Sequence, residues 1–195
     1  MFGNDYKILF AGPMGAGKTT AIRSISEIEP VSTEAFNTTR DVSDKATTTV
    51  AFDYGQVTLD GGESLRLYGA PGQDRFNAMW EILARGALGV VILIDHSSDR
   101  SPEDLRFFLD VFDEQIRSAA AVIGLTHMDE AIEKSPEVYY EGLEERGLIL
   151  PVLPVDAREA EEVSALIDAL LTILESRLDE EEGALAAAQA AEVQD

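Results

Sequence analysis

An α/β fold with a mostly parallel sheet is predicted by three features of the chain. Short apolar runs alternate with longer amphipathic stretches, the pattern of strands followed by crossover helices. Two of the runs, Gly89–Asp95 and Ala121–Thr126, are apolar almost throughout, as strands buried on both faces are. A hairpin signal between Thr49 and Tyr68 then makes the sheet mixed.

Taken in order, Tyr6–Ala11 reads as a buried strand, followed by a glycine-rich turn and a helix from about Gly17 to Glu27. Pro30–Thr48 is polar and without period, and a loop that long inside a compact domain is usually functional. Thr49–Leu59 alternates around Val50, Phe52, Tyr54, Val57 and Leu59, and Asp60-Gly61-Gly62 turns it into Ser64–Tyr68 as an antiparallel edge pair. Gly69–Gln73 is a second glycine turn, leading to a helix over about Arg75–Arg85. Pro102 suits the first turn of a helix running to Ser118, with Leu105, Phe108, Leu109 and Phe112 on one face. Pro136–Arg146 is a weaker helix, Leu148–Val152 a strand, and Ala160–Leu178 the last amphipathic helix. The division that follows is a domain over 1–178 and an acidic, Ala-rich tail over 179–195. The tail carries six acids and no Lys or Arg, and reads as a solvated tail or an extension of the last helix rather than an interaction motif.

Composition excludes several function classes. The 195 residues include 15 Lys+Arg against 37 Asp+Glu, a formal charge of −22 that opposes approach to nucleic acid or an anionic lipid surface. A mononucleotide is still admissible, because a nest of backbone N–H groups holds phosphate inside an acidic protein. The absence of cysteine removes disulfides, thiolate metal sites, cysteine nucleophiles and cysteine lipidation. The longest apolar run, near Ala87–Ile94, is far short of the ~20 residues a membrane helix needs. The expectation is a cytoplasmic protein without a direct membrane anchor.

Gly12-Pro13-Met14-Gly15-Ala16-Gly17-Lys18-Thr19 fits G-x-x-x-x-G-K-[ST] in full, and it lies between an apolar strand and a helix. Glycines let the backbone curl so that successive N–H groups converge on a phosphate at the positive end of the helix. Lys18 reaches the β- and γ-oxygens as a point charge, and the Thr19 hydroxyl, with Thr20 beside it, has the length to bind Mg²⁺. Nucleotide binding follows from motif and context together.

Further segments recur at set distances downstream: Thr49–Asp53 after the polar loop, Gly69-Ala70-Pro71-Gly72-Gln73, Thr126-His127-Met128-Asp129 and Asp156-Ala157-Arg158. In that order the chain resembles the Ras-like small GTPases over about residues 5–178. It looks most similar to the bacterial branch typified by MglA, whose members are often paired with roadblock-type proteins. The resemblance implies a Ras-type P-loop NTPase fold, with a six-stranded mixed sheet and helices on both faces. It implies GTP and GDP as ligands with Mg²⁺ as cofactor, a switch role, and protein effectors, a roadblock-domain protein foremost. Thr49 becomes the switch I threonine that binds Mg²⁺ with Thr19, with Thr47 and Thr48 as neighbouring alternatives. Gln73 becomes the residue that orients the attacking water, and Gly72 presents its N–H to the γ-phosphate. Asp129 reads the guanine ring N–H and amine, Ala157 donates to the guanine oxygen, and Arg158 or the stem of His127 packs on the base.

Three positions depart from the pattern. Gly69 stands where most small GTPases have the Asp of Asp-x-x-Gly, as in MglA-like proteins; Asp53 reads as a strand-surface residue, with substitution for that Asp the alternative. Thr126 stands where Asn bridges base and phosphate loop, which predicts a weaker guanine preference. Met14 brings bulk where many relatives have a small residue, which predicts slow intrinsic hydrolysis and a partner for fast turnover. Arg40 and Arg75 lie where an arginine finger in cis would act, or face solvent or a partner. Phe76, Met79 and Trp80, with Phe36 or Tyr54, are candidates for an effector face. The alternatives to a switch are an ATPase or small-molecule kinase with Asp95 as the metal carboxylate, and a non-hydrolysing scaffold.

Overall fold

The structure is a computed structural model that describes residues 5–29, 31–35, 50–59, 61–72, 77–131 and 133–192. Seven strands form one sheet: β1 (Asp5–Ala11), β2 (Val31–Ala35), β3 (Val50–Thr58), β4 (Ser64–Gly69), β5 (Gly89–Asp95), β6 (Ala120–Thr126) and β7 (Val152–Pro154). Their spatial order is β2-β3-β4-β1-β5-β6-β7, with β2–β3 and β3–β4 antiparallel and the remaining pairs parallel. The α/β fold with helices on both faces is therefore as expected from the sequence. The six expected strands are joined by β2, which adds to the edge out of the polar stretch after Pro30.

The helices are α1 (Lys18–Ile25), α2 (Asn77–Ala84), α3 (Ser101–Val111), α4 (Asp113–Ser118), α5 (Glu137–Glu144) and α6 (Ala160–Glu192). Alternation along β1 sorts them into two layers. Leu9 and Ala11 join Val90, Ile92 and Ile94 beneath Trp80, Phe108, Phe112 and Leu143, the layer of α2 to α5. Ile8 and Phe10 face the other way with Val91, Leu93 and Val122, under Ile22 of α1 and Val163, Leu166 and Leu170 of α6. Both faces of β5 and β6 are covered, which is why their sequences are apolar throughout.

Three elements and one side chain refine the sequence reading. The helix expected over Pro102–Ser118 is broken at Phe112, whose ring turns into the core and stacks 6.4 Å from Phe108, and α4 restarts on Asp113 and Glu114. The last strand begins at Val152 instead of Leu148; Pro151 brings no N–H, and only its carbonyl reaches the sheet, accepting from Ile123 N–H at 2.9 Å. The final helix runs on through the acidic stretch to Glu192, the extension that the sequence allowed beside a solvated tail. Arg177 on that helix donates to the carbonyls of Ile116, Arg117 and Ala119, closing the C-terminal end of α4 with a cation. Finally, Trp80 is fully buried against Phe107, Phe108 and Phe112, so it is core and not part of an effector face.

A buried polar chain follows β5. His96 Nε2 lies 3.0 Å from the Lys134 carbonyl, which can only accept, so this nitrogen carries the proton. The other ring nitrogen is then the acceptor for the Tyr139 hydroxyl at 2.8 Å. Ser101 Oγ stands 2.9 Å from that hydroxyl and accepts from Lys134 Nζ, which also donates to the carbonyls of His96 and Ser98. Tyr139→Phe strips the partner from a buried acceptor and is expected to lower unfolding free energy by about 1–3 kcal/mol in urea denaturation. An unchanged midpoint would count against the network as a source of stability.

Candidate functional site

The phosphate loop leaves the C-terminal end of β1 at the centre of the sheet. Gly12 has φ +139°, and a Cβ there would stand 2.1 Å from the Leu93 carbonyl oxygen on β5, so only glycine fits. Gly17, at φ 88°, ends the loop as the residue before α1 and offers no side chain to cap it. The first-turn N–H groups of α1 are thus left for an acceptor from outside, at the positive end of a helix with no acid in its first turn. Lys18 Nζ donates to the carbonyls of Gly12 at 2.8 Å and Pro13 at 2.7 Å, which holds the ammonium inside the curl. The side chain is only 8% exposed; burial lowers its pKa to about 8, opposed by the charge of Asp53.

On one flank, Thr19 Oγ1 donates to Asp53 Oδ2 at 2.5 Å. Asp53 of β3 pairs directly across from Gly69 of β4. The Asp53 carboxylate is therefore engaged with the phosphate loop, correcting its reading as a strand-surface residue. Nearby, a Cβ at Gly72 would stand 2.6 Å from Met14 N and 2.9 Å from Lys18 Nζ, so the second glycine turn lies hard against the loop. Trp80 Nε1 secures that turn from below by donating to the Pro71 carbonyl at 2.7 Å. Thr19 and Asp53 present hard oxygen donors side by side, the chemistry Mg²⁺ selects.

On the other flank a cleft of about 500 Å³ runs from Gly15, Gly17 and Thr20 to Thr126, Asp129 and Ala157. Thr126 Oγ1 lies 3.4 Å from the Ala16 carbonyl and 3.3 Å from that of Ile94, so the link from this strand end to the phosphate loop persists, long and weak. His127 takes the left-handed conformation (φ 55°), the one non-glycine to do so among the described residues, and starts the 3-10 turn that carries the exposed Asp129. Its Nδ1 is 3.1 Å from Thr126 Oγ1 and 3.3 Å from Asp95 Oδ1. Asp95 Oδ1 also accepts from Ser97 N at 3.0 Å and Ser97 Oγ at 2.6 Å. Its carboxylate is engaged at the His127 end of the cleft through Oδ1.

Arg158 lines the same cleft, yet its guanidinium folds back on Asp156, with Nη2 2.5 Å from Oδ2 and Nε 2.8 Å from Oδ1. These bonds hold the Asp156 carboxyl down to about pH 2. The Asp156 N–H donates to Glu162 Oε2 at 2.7 Å, so α6 anchors the loop that carries Ala157.

A family model described as "Conserved hypothetical ATP binding protein" matches residues 10–181. The chain belongs to that family. It is 31% identical over 102 residues to the Ras-related protein Rab-8A of Gallus gallus, covering 52% of this chain and 44% of that protein. It is 28% identical over 114 residues to Rab-8B of Homo sapiens, 58% of this chain and 50% of that protein. The chain thus spans about half the length of the curated relatives it matches. Among solved structures, the G domain of the T. maritima FeoB iron transporter superposes with a TM-score of 0.63 at 19% identity, over 87% of this chain and 98% of that one. The fold is that of a Ras-type P-loop nucleotide-binding protein, and no helix among the described residues is long and apolar enough to cross a membrane.

Of the residues singled out from the sequence, the structure brings Gly12, Met14, Gly15, Ala16, Gly17, Lys18, Thr19, Thr20 and Gly72 together at one end. It gathers Thr126, His127, Asp129, Asp156, Ala157 and Arg158 at the other. Arg40, Thr49, Gln73 and Arg75, with Phe36 and Phe76, lie outside the described residues. Sequence reasoning missed the hydrogen bond to Asp53, the Asp95–His127 pair and the Glu162 anchor. The sequence signal for Asp53 was an acid set between the aromatic residues Phe52 and Tyr54 of a strand.

Lys18 makes nucleotide binding pH-dependent. Phosphate oxygens favour the ammonium, so binding raises a pKa that begins near 8. Affinity is then constant while the free protein is already protonated, and falls as pH rises through 8. A drop of about tenfold between pH 7 and pH 9 is expected for nucleoside diphosphate titrated calorimetrically in EDTA. A flat profile would mean that Lys18 stays charged throughout.

Proposed function

We propose that this protein is a guanine-nucleotide switch that hydrolyses GTP to GDP with Mg²⁺ and signals through loops read by protein partners. The observation that carries the proposal is the single cleft joining Gly15, Gly17 and Thr20 to Asp129 and Ala157. A carboxylate at its far end accepts from the adjacent ring N–H and amine of guanine, a donor pair that adenine lacks. Lys18 and the N–H groups of α1 take the β- and γ-phosphates. Thr19, with Thr49, holds Mg²⁺, which when bound neutralises charge on the β- and γ-oxygens. Gln73 orients the water, Gly72 presents its N–H, and Arg40 or Arg75 supplies a cation to the transition state.

The finer assignment is to the bacterial MglA-like branch with a roadblock-domain partner, supported by the Asp-less turn Gly69-Ala70-Pro71-Gly72. Met14, 75% exposed beside the loop, supports slow intrinsic turnover and an outside contact at this mouth. ATP is the second reading, favoured by the family's description and by Thr126 in place of an amide.

Calorimetric titration with GDP and ADP separates the two readings. GDP is expected to bind at least about a hundredfold tighter, and Asp129→Ala to remove most of that margin while leaving ADP unchanged. Equal affinities for GDP and ADP in the wild type would transfer the proposal to ATP.

A further inference from the structure

We infer that Asp53 is a metal-site residue, supplying from β3 the carboxylate that orients Thr19 and supports the nucleotide-bound Mg²⁺. The inference rests on the P-loop reading above but not on the identity of the base.

Thr19 Oγ1 has one proton and two lone pairs. Donation of that proton to Asp53 Oδ2 fixes the hydroxyl rotor and leaves the lone pairs free for a cation. P-loop NTPases hold Mg²⁺ with the loop Ser or Thr hydroxyl together with an acid delivered by a nearby strand. In this chain the carboxylate bonded to that hydroxyl comes from the antiparallel neighbour of the strand that ends in the glycine turn. Asp53 and Gly69 face each other in register, so their side-chain directions coincide. A Cβ at Gly69 would stand 3.1 Å from Asp53 Cβ and 3.2 Å from Asp53 Oδ2. A side chain at 69 would therefore crowd the Asp53 carboxylate and the Ile22 side chain, which would have to give by a few tenths of an ångström, and glycine leaves that carboxylate room at Thr19. Asp95, the other strand acid of this sheet end, is already held by Ser97. The exchange is chemically complete: a hard, anionic oxygen stands at the hydroxyl, displaced by one strand.

The test reads metal rather than turnover. Mn²⁺ is titrated into the full chain with saturating GDP, and free Mn²⁺ is followed by electron paramagnetic resonance, with a parallel series in ADP. Asp53→Asn keeps the shape and removes the charge, and it is expected to weaken Mn²⁺ binding about 10- to 100-fold. The exchange variant, Asp53→Gly with Gly69→Asp, returns the carboxylate to the same space from β4 and is expected to recover most of the loss. Recovery distinguishes a metal role from general damage to the strand pair, and it stands as the deciding result where Asp53→Asn folds poorly. Wild-type Mn²⁺ affinity in Asp53→Asn, or no recovery in a folded exchange variant, would overturn the inference, as would a wild type that takes up no Mn²⁺ with either diphosphate. A loss and recovery seen equally with GDP and ADP would sustain it while removing the guanine reading.

Discussion

The site depends on a backbone crossing. Where β1 ends, the chain passes so close to the Leu93 carbonyl of β5 that no side chain fits at Gly12. This contact turns the chain out of the sheet at its centre, between β4 and β5, and starts the curl that ends at Gly17. Everything chemical is placed relative to that curl. The ammonium of Lys18 is threaded into it, the hydroxyl of Thr19 stands outside it toward β3, and the ends of β5 and β6 form the far wall. Moving the carbonyl of Leu93 or filling Gly12 would displace all three at once.

An anion site inside a chain of net charge −22 needs local fields that oppose the global one. Backbone N–H groups at the start of α1 provide part of this, and their range is short. Lys18 provides the rest from a buried position that weakens it, since desolvation brings its pKa down to about 8. Asp53 counters that weakening across the loop while leaving a carboxylate where a divalent cation is wanted. The acids at the other end are engaged by neighbours: Asp156 by Arg158, Asp95 by Ser97 and His127. Asp129 is on an exposed 3-10 turn, free of such a pairing in the geometry described, which suits a carboxylate meant for a ligand's donors.

Much of this was legible in the sequence, for reasons that are local. A glycine curl between a strand and a helix declares itself by spacing, and doubly covered strands declare themselves by unbroken apolar runs such as Val90–Ile94. What was not legible depends on register and on packing at a distance. The edge strand β2 is hard to read because Val31–Ala35 is short and mostly polar, without the alternation that marks a half-buried strand. Trp80 follows a switch-like turn in sequence, yet its indole goes inward because Phe107, Phe108 and Phe112 from a helix that follows β5 are waiting there. Asp53 was visible as an acid with two readings open, and only the fold brings its carboxylate to Thr19 and sets it across from Gly69.

A P-loop hydroxyl needs an acceptor for its proton and a metal needs an oxygen anion nearby, but neither requirement names the strand that delivers them. Antiparallel neighbours in register place two Cβ atoms side by side on one face, so a side chain on either strand reaches the same neighbourhood. The departure at Gly69 reads, by motif alone, as the loss of a metal residue. By geometry it is the removal of a Cβ that would have stood 3.2 Å from the Asp53 carboxylate oxygen. A glycine and an acid facing each other across two strands therefore form one feature, and judging either position alone misstates the site.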